Sequence, residues 1–200
     1  MTMQSVHYPT LSSLLRIDSA SIRSMVLIAL GAVLLTASAK IQIPFYPVPM
    51  TMQTFVVLAF SMACGWKLGG LTVISYLALG AMGLPVFVGS PEKGIGLAYM
   101  LGPTGGYLLG FALAAVCAGY LAERGWDRKW YTTLTAMLIG NIVIYVPGLI
   151  WLGSLLGWDK PVLAWGLTPF LLGDLAKIIL AMIALPAAWK AVDRKKSKSA

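Results

Sequence analysis

Apolar residues along this 200-residue chain run in long blocks, with the charges confined to the gaps between them. Residues 24–39, 41–66, 68–91, 94–122 and 130–158 contain no Asp, Glu, Lys or Arg, and 161–189 contains only Asp174 and Lys177. A membrane-crossing helix takes roughly 20 predominantly apolar residues, or about 17 at the short end, so the pattern predicts six transmembrane helices, one per run. The first run is the shortest. Arg23 and Lys40 extend it by laying their aliphatic stems along the helix with the charged heads at the interface. The expected fold is an all-α integral membrane protein, a compact bundle of six transmembrane helices forming a single domain over residues 1–200.

Composition agrees. Mean hydropathy is +0.82 and 11% of residues are charged, against about 25% in a typical soluble domain. The formal net charge of +8 raises the question of nucleic acid, but its distribution points to orientation instead. With both termini cytoplasmic, the inner side carries Arg16, Arg23, Lys67, Arg124, Arg128, Lys129, Lys190, Arg194, Lys195, Lys196 and Lys198, and the outer side keeps Lys40, Lys93 and Lys160. Eleven against three is a strong positive-inside bias. Residues 1–23 are then a cytoplasmic N-terminal segment, and 190–200 a basic cytoplasmic tail facing anionic headgroups rather than nucleic acid. No apolar core with a small-residue cleavage site precedes Arg23, so the first span is expected to act as the membrane signal. The expected location is the cell (inner) membrane, multi-pass.

In that orientation helices two, four and six begin on the outer side, where the distinctive segments fall. Pro47-Val48-Pro49-Met50-Thr51-Met52-Gln53-Thr54 leads into helix two, Gly102-Pro103-Thr104-Gly105-Gly106-Tyr107 opens helix four, and Pro169 to Lys177 forms the outer part of helix six. Proline suits a first helical turn, and Thr51 and Thr104 are placed to cap free amides. The outer loops 40–50 and 85–101 are long and rich in Pro, Gly and aromatics, which reads as a lid over a site. Small residues recur every fourth position on helix four, at Gly102, Gly106, Gly110, Ala114, Ala118 and Ala122, a spacing that lets membrane helices approach closely. Helix one carries a second stripe, Ala29, Ala32, Thr36 and Ala39, open to two readings: internal packing or a docking face for a partner protein.

The chemistry concentrates on Asp174 and Lys177. At i and i+3 they share one helix face, and charges at bilayer depth cost at least ~2.5 kcal/mol each, so they face a partner, a cavity or a ligand. A structural ion pair is the plain alternative. A carboxylate accepts and an ammonium donates, so the pair fits a neutral group with N–H donors beside a carbonyl, a ureido or amide group. A carboxylate on the same ligand would meet helix N-termini two and four and the outer Lys93. Gly105 and Gly106 allow close backbone approach, and Gln53, Thr104, Tyr107 and Asn141 are the other polar groups at cavity depth. Phe45, Tyr46, Phe87, Tyr99 and Phe170 are placed to wall an apolar ring or chain, while Trp151, Trp158 and Trp165 read as an interfacial belt. Cys64 and Cys117 lie in predicted spans without metal-ligand spacing, and His7 is in the polar N-terminal segment. No metal and no cofactor are expected. No phosphate loop, H-E-x-x-H or G-x-S-x-G motif occurs, so no ATP hydrolysis by this chain is expected.

These segments, in this order, resemble the BioY family, the biotin-binding membrane subunits (S components) of energy-coupling-factor transporters. The residues that carry the resemblance are Ile41-Gln42-Ile43-Pro44 with Pro47 to Thr54, Gly83-Leu84-Pro85-Val86-Phe87, Gly102 to Leu108, and Pro169-Phe170 followed by Gly173-Asp174 and Lys177. The resemblance implies six helices around biotin captured from outside, with import driven by a transmembrane coupling subunit and cytoplasmic ATPases. It implies contact of Asp174 and Lys177 with the ureido ring, Lys93 as the candidate for the biotin carboxylate, and docking on the coupling subunit through small residues of helix one, where Ala32 and Thr36 come nearest the pattern. The rival functions are an S component for another vitamin, an intramembrane enzyme using Asp174 and Lys177 as acid and base, and a scaffold subunit.

Overall fold

The computed structural model describes residues 8–14, 19–89 and 94–198, with side chains through residue 194. A 3-10 turn, Leu11–Leu14, precedes α1, Ala20–Lys40, whose first turn is capped by the Ser19 hydroxyl accepting from the Ile22 amide. An antiparallel hairpin follows, β1 Gln42–Ile43 paired with β2 Met50–Thr51. Then come α2 Gln53–Cys64, α3 Trp66–Ala81, α4 Gly96–Met100, α5 Gly105–Ala122, α6 Trp130–Leu156, α7 Val162–Gly166, a 3-10 turn Thr168–Phe170 and α8 Leu171–Lys198.

The six apolar blocks do not become six helices of spanning length. Among the described residues four stretches are long and apolar enough to cross a membrane: α1, α5, α6 and Val162–Arg194. α2 has 12 residues and α3 has 16, which at about 1.5 Å per residue reach about 18 and 24 Å, short of a hydrocarbon core of about 30 Å. Proline is the reason. Pro44, Pro47 and Pro49 cannot donate to a helical ladder, so the start of the second block becomes the hairpin, and Gly83-Leu84-Pro85 ends α3 early in the third. Gly65 divides α2 from α3 at φ +86°, a conformation glycine adopts without a Cβ clash. The side chain of Glu123 reaches across from the end of α5 to accept from the Trp66 amide at 3.3 Å, covering the open start of α3.

α5 sits at the centre, packed on α6, α2 and α3. Its small-residue ladder is internal: Gly106, Gly110, Ala114, Ala118 and Ala122 are all buried. A Cβ on Gly110 would stand 2.7 Å from the Ile144 carbonyl oxygen of α6, so the two backbones are in contact. α1 is peripheral, with 22% of its apolar window buried. Its stripe is split: Ala32 and Ala39 are buried, Thr36 turns its hydroxyl back to the Ala32 carbonyl, and Ala29 is exposed beside Val26, Leu30 and Val33.

At the end of the bundle away from the hairpin, the α5–α6 turn holds Asp127, 1% exposed. The Trp189 indole of α8 donates to one of its oxygens, and the Arg128 guanidinium lies 4.0 Å over that indole. Arg128 also donates to the Pro9 carbonyl at 3.2 Å, and the Tyr8 amide donates to the Glu123 carbonyl, which ties the N-terminal segment to this turn. Burial pushes the Asp127 carboxyl above the usual range, partly offset by the Trp189 N–H and Arg128.

Candidate binding site

α8 starts immediately after the Thr168–Phe170 turn, so Asp174 falls in its first turn, where the unpaired amides favour an anion. Lys177 lies three residues on. Both are buried, at 5% and 7% exposure. Lys177 Nζ stands 2.9 Å from Asp174 Oδ1 and donates to Thr54 Oγ1, also at 2.9 Å. Thr54, in the first turn of α2, donates its own hydroxyl to Asp174 Oδ1 at 3.4 Å. The Tyr145 hydroxyl of α6 donates to Asp174 Oδ2. Three helices therefore converge on one buried ion pair, which lowers the cost of holding two charges away from water.

Beside the pair is a cavity with about 520 Å³ of empty space, the open solvent at its mouth included. Its walls come from the end of the hairpin (Val48 to Thr51), α2, the α3–α4 connection, α4, α5, α6 and α8 with the turn before it. The lining is mostly apolar, with Val48, Leu108, Phe111, Ile144 and Phe170 prominent, and Asp174 and Lys177 sit at one side. Tyr99 stacks on Phe87 and Phe45 packs edge-on against Phe170, so these rings build or back the wall. Tyr46 is 88% exposed and takes no part in it.

Of the residues singled out in the sequence, Asp174, Lys177, Gln53, Thr104 and Tyr107 line this cavity. Thr51 accepts from the Gln53 amide at 3.2 Å, as its position suggests, whereas Thr104 makes no such bond at the start of α5. Tyr107 donates to the Gly166 carbonyl at 2.8 Å. Gly105 and Gly106 lie outside the lining. A Cβ on Gly106 would strike Trp151 and the Pro147 carbonyl, so its missing side chain serves the approach of α6 rather than of a ligand. Asn141 also lies outside the lining, with its amide N–H donating to the Met137 carbonyl of its own helix. Lys93 lies outside the described residues, as does His7.

Sequence reasoning missed Tyr145 and gave Thr54 no role. Thr54 adjoins Gln53, and Tyr145 lies one helical turn from Asn141, so each was one step from a residue already singled out. Among the described residues no group of three or more His, Cys, Asp or Glu is placed to hold a metal.

Comparison with known proteins gives a consistent picture. Residues 10–194 match the BioY family. The chain is 38% identical over 157 residues to "Probable biotin transporter BioY" of Pyrococcus horikoshii, covering 78% of this chain and 90% of that protein. It is 38% identical over 161 residues to "Biotin transporter BioY" of Thermotoga maritima, covering 80% and 92%, and 36% identical over 174 residues to "Biotin transporter BioY" of Rhodobacter capsulatus, covering 79% and 88%. Its fold is similar to the crystal structure of the S-component for biotin from an ECF-type ABC transporter, with a TM-score of 0.73 and 25% identity over 88% of this chain and 95% of that one. With a matched region that runs from the N-terminal turn into the last turns of α8, the chain belongs to the BioY family.

Proposed function

We propose that this protein is a biotin transporter's membrane subunit, the S component that captures biotin and passes it into the cell. The observation that carries the reading is the buried Asp174–Lys177 pair beside an apolar cavity. A ureido ring offers N–H groups to the carboxylate and a carbonyl to the ammonium, and the apolar lining suits the sulfur-containing ring and the aliphatic chain. The names of the relatives and of the solved S-component support the same ligand.

The finer assignments belong to this proposal too. Asp174 and Lys177 hold the ureido group, with Gln53, Thr104 and Tyr107 as further ligand contacts. Lys93, which follows the cavity-lining Val88 in sequence, together with the start of α5 receives the carboxylate. The chain crosses the cell (inner) membrane six times, α2 and α3 included, with both termini cytoplasmic, which is supported by the excess of Lys and Arg on one side. The cavity then opens outward. Delivery is powered by a transmembrane coupling subunit with cytoplasmic ATPases, and the exposed apolar face of α1 around Ala29 is the surface offered to that partner. The protein is a transporter subunit rather than an enzyme, as the names of its family and relatives support.

Equilibrium binding of tritiated biotin to the purified protein, competed with unlabelled biotin, thiamine and riboflavin, tests the ligand. Displacement by biotin alone is expected. Displacement by thiamine but not by unlabelled biotin would overturn the assignment.

A further inference from the structure

Protein partners use up most of the hydrogen-bonding capacity of the ion pair. Asp174 Oδ1 accepts from Lys177 and Thr54, and Oδ2 accepts from Tyr145. Each carboxylate oxygen offers two lone pairs, so one acceptor position is left, on Oδ2. Lys177 gives one N–H to Asp174 and one to Thr54, so one donor is left of its three. A cyclic urea has two N–H groups flanking one carbonyl. The pair can satisfy the carbonyl and one N–H. The second N–H needs another acceptor, because a buried donor left unmade is costly.

Gln53 is built to supply it. The residue is 3% exposed, lines the cavity and adjoins Thr54 in the first turn of α2. The orientation of its amide is set by Tyr76. The Val86 carbonyl can only accept, so the Tyr76 hydroxyl, 3.1 Å away, gives its single proton there. Tyr76 is left with only acceptor capacity toward Gln53, which must face it with the NH2 group, at 2.7 Å. At the other end Thr51 Oγ1 accepts from the Gln53 backbone amide at 3.2 Å and turns its own proton to Gln53 Oε1 at 3.3 Å. The Tyr76 contact selects this orientation, the Thr51 hydroxyl, able to give or to accept, fits it, and Oε1 keeps a second lone pair. Tyr76 is fully buried, does not line the cavity, and holds its ring edge-on to Phe87.

We propose that Gln53 Oε1 accepts the ureido N–H that Asp174 does not, and that Tyr76, acting through Gln53, is the positioning residue that makes the site count two N–H donors. The inference rests on the assignment of biotin as ligand. The test uses the purified full chain and two biotin analogues in which one or the other ureido N–H is replaced by a ring oxygen. Wild type should prefer biotin to both analogues by at least about tenfold. Tyr76→Phe keeps the ring against Phe87 but frees the amide to turn its N–H toward a ring oxygen. The preference over one regioisomer should then fall at least fivefold, and the preference over the other should stay within twofold. Gln53→Leu, which does not depend on Tyr76, should lose preference against that same regioisomer. Equal loss against both analogues in either variant, or no change beyond twofold in either, would overturn the proposal. Failure of wild type to bind biotin at all would instead overturn the ligand assignment, and this inference with it.

Discussion

The Tyr145 hydroxyl, from the middle of α6, donates to the Asp174 carboxylate at the start of α8. Asp174 is thereby held between a neutral donor on one oxygen and the Lys177 ammonium on the other. Removing Tyr145's donor leaves the charge in place but loosens the carboxylate that must meet the ligand. Tyr145→Phe should raise the Kd for biotin about fivefold, or about 1 kcal/mol, less than the full weight of a hydrogen bond to a charged group because the charge and its Lys177 partner stay in place. A titration of the purified variant that gives wild-type affinity would exclude this role.

The ion pair itself should matter more. Asp174→Asn and Lys177→Met each leave the opposite charge and a ligand group without a partner, so each should weaken biotin binding by more than ~1.5 kcal/mol, over tenfold. Equilibrium binding with tritiated biotin reads both variants directly.

Close backbone contact between α5 and α6 positions one wall of the cavity. A side chain at Gly110 would meet the Ile144 carbonyl oxygen at 2.7 Å and its Cα at 2.8 Å, and neither atom can move without the helix. Ile144 and Tyr145 both line the cavity. Gly110→Val should therefore lower stability by about 1–3 kcal/mol and reduce biotin affinity with it. Thermal unfolding in detergent and ligand titration measure the two effects separately.

Asp127 gives a pH-dependent expectation at the other end of the bundle. Burial raises its carboxyl above the ordinary value of 3.8, so the folded chain binds this proton more tightly than the unfolded chain. The resulting stability is full below the ordinary value and is lost as pH rises through the folded one. Asp127→Asn removes that titration. The difference in melting temperature between variant and wild type should shift in the variant's favour from pH 4 to pH 8, whatever its offset at pH 4. A difference independent of pH would contradict it.

Local periodicity carried much of this protein. Blocks of apolar residues, all but the first wider than a bilayer helix requires, set the membrane class, because lipid cannot satisfy charged or unpaired polar groups. The i, i+3 spacing of Asp174 and Lys177 put both on one face before any neighbour was known, since helical geometry is a property of the segment alone. The every-fourth-residue ladder marked α5 as the helix that others approach closely, and the buried glycines and alanines follow it. Three prolines within residues 44–49 also carried the signal for the shortened α2, although a count of apolar residues alone passed over it.

Tertiary structure decided which sides of these helices turn inward. In a soluble protein polar residues mark the outer face, but lipid is as apolar as the core, so a helix such as α6 has no polar stripe to give its rotation. Tyr145 and Asn141 are a single turn apart, yet the first lines the cavity and the second does not. The same uncertainty of rotation hid the split of the α1 stripe, with Ala32 buried and Ala29 exposed. Thr54 and Tyr145 meet Asp174 across 120 and 29 residues of chain, contacts that exist only once three helices are packed.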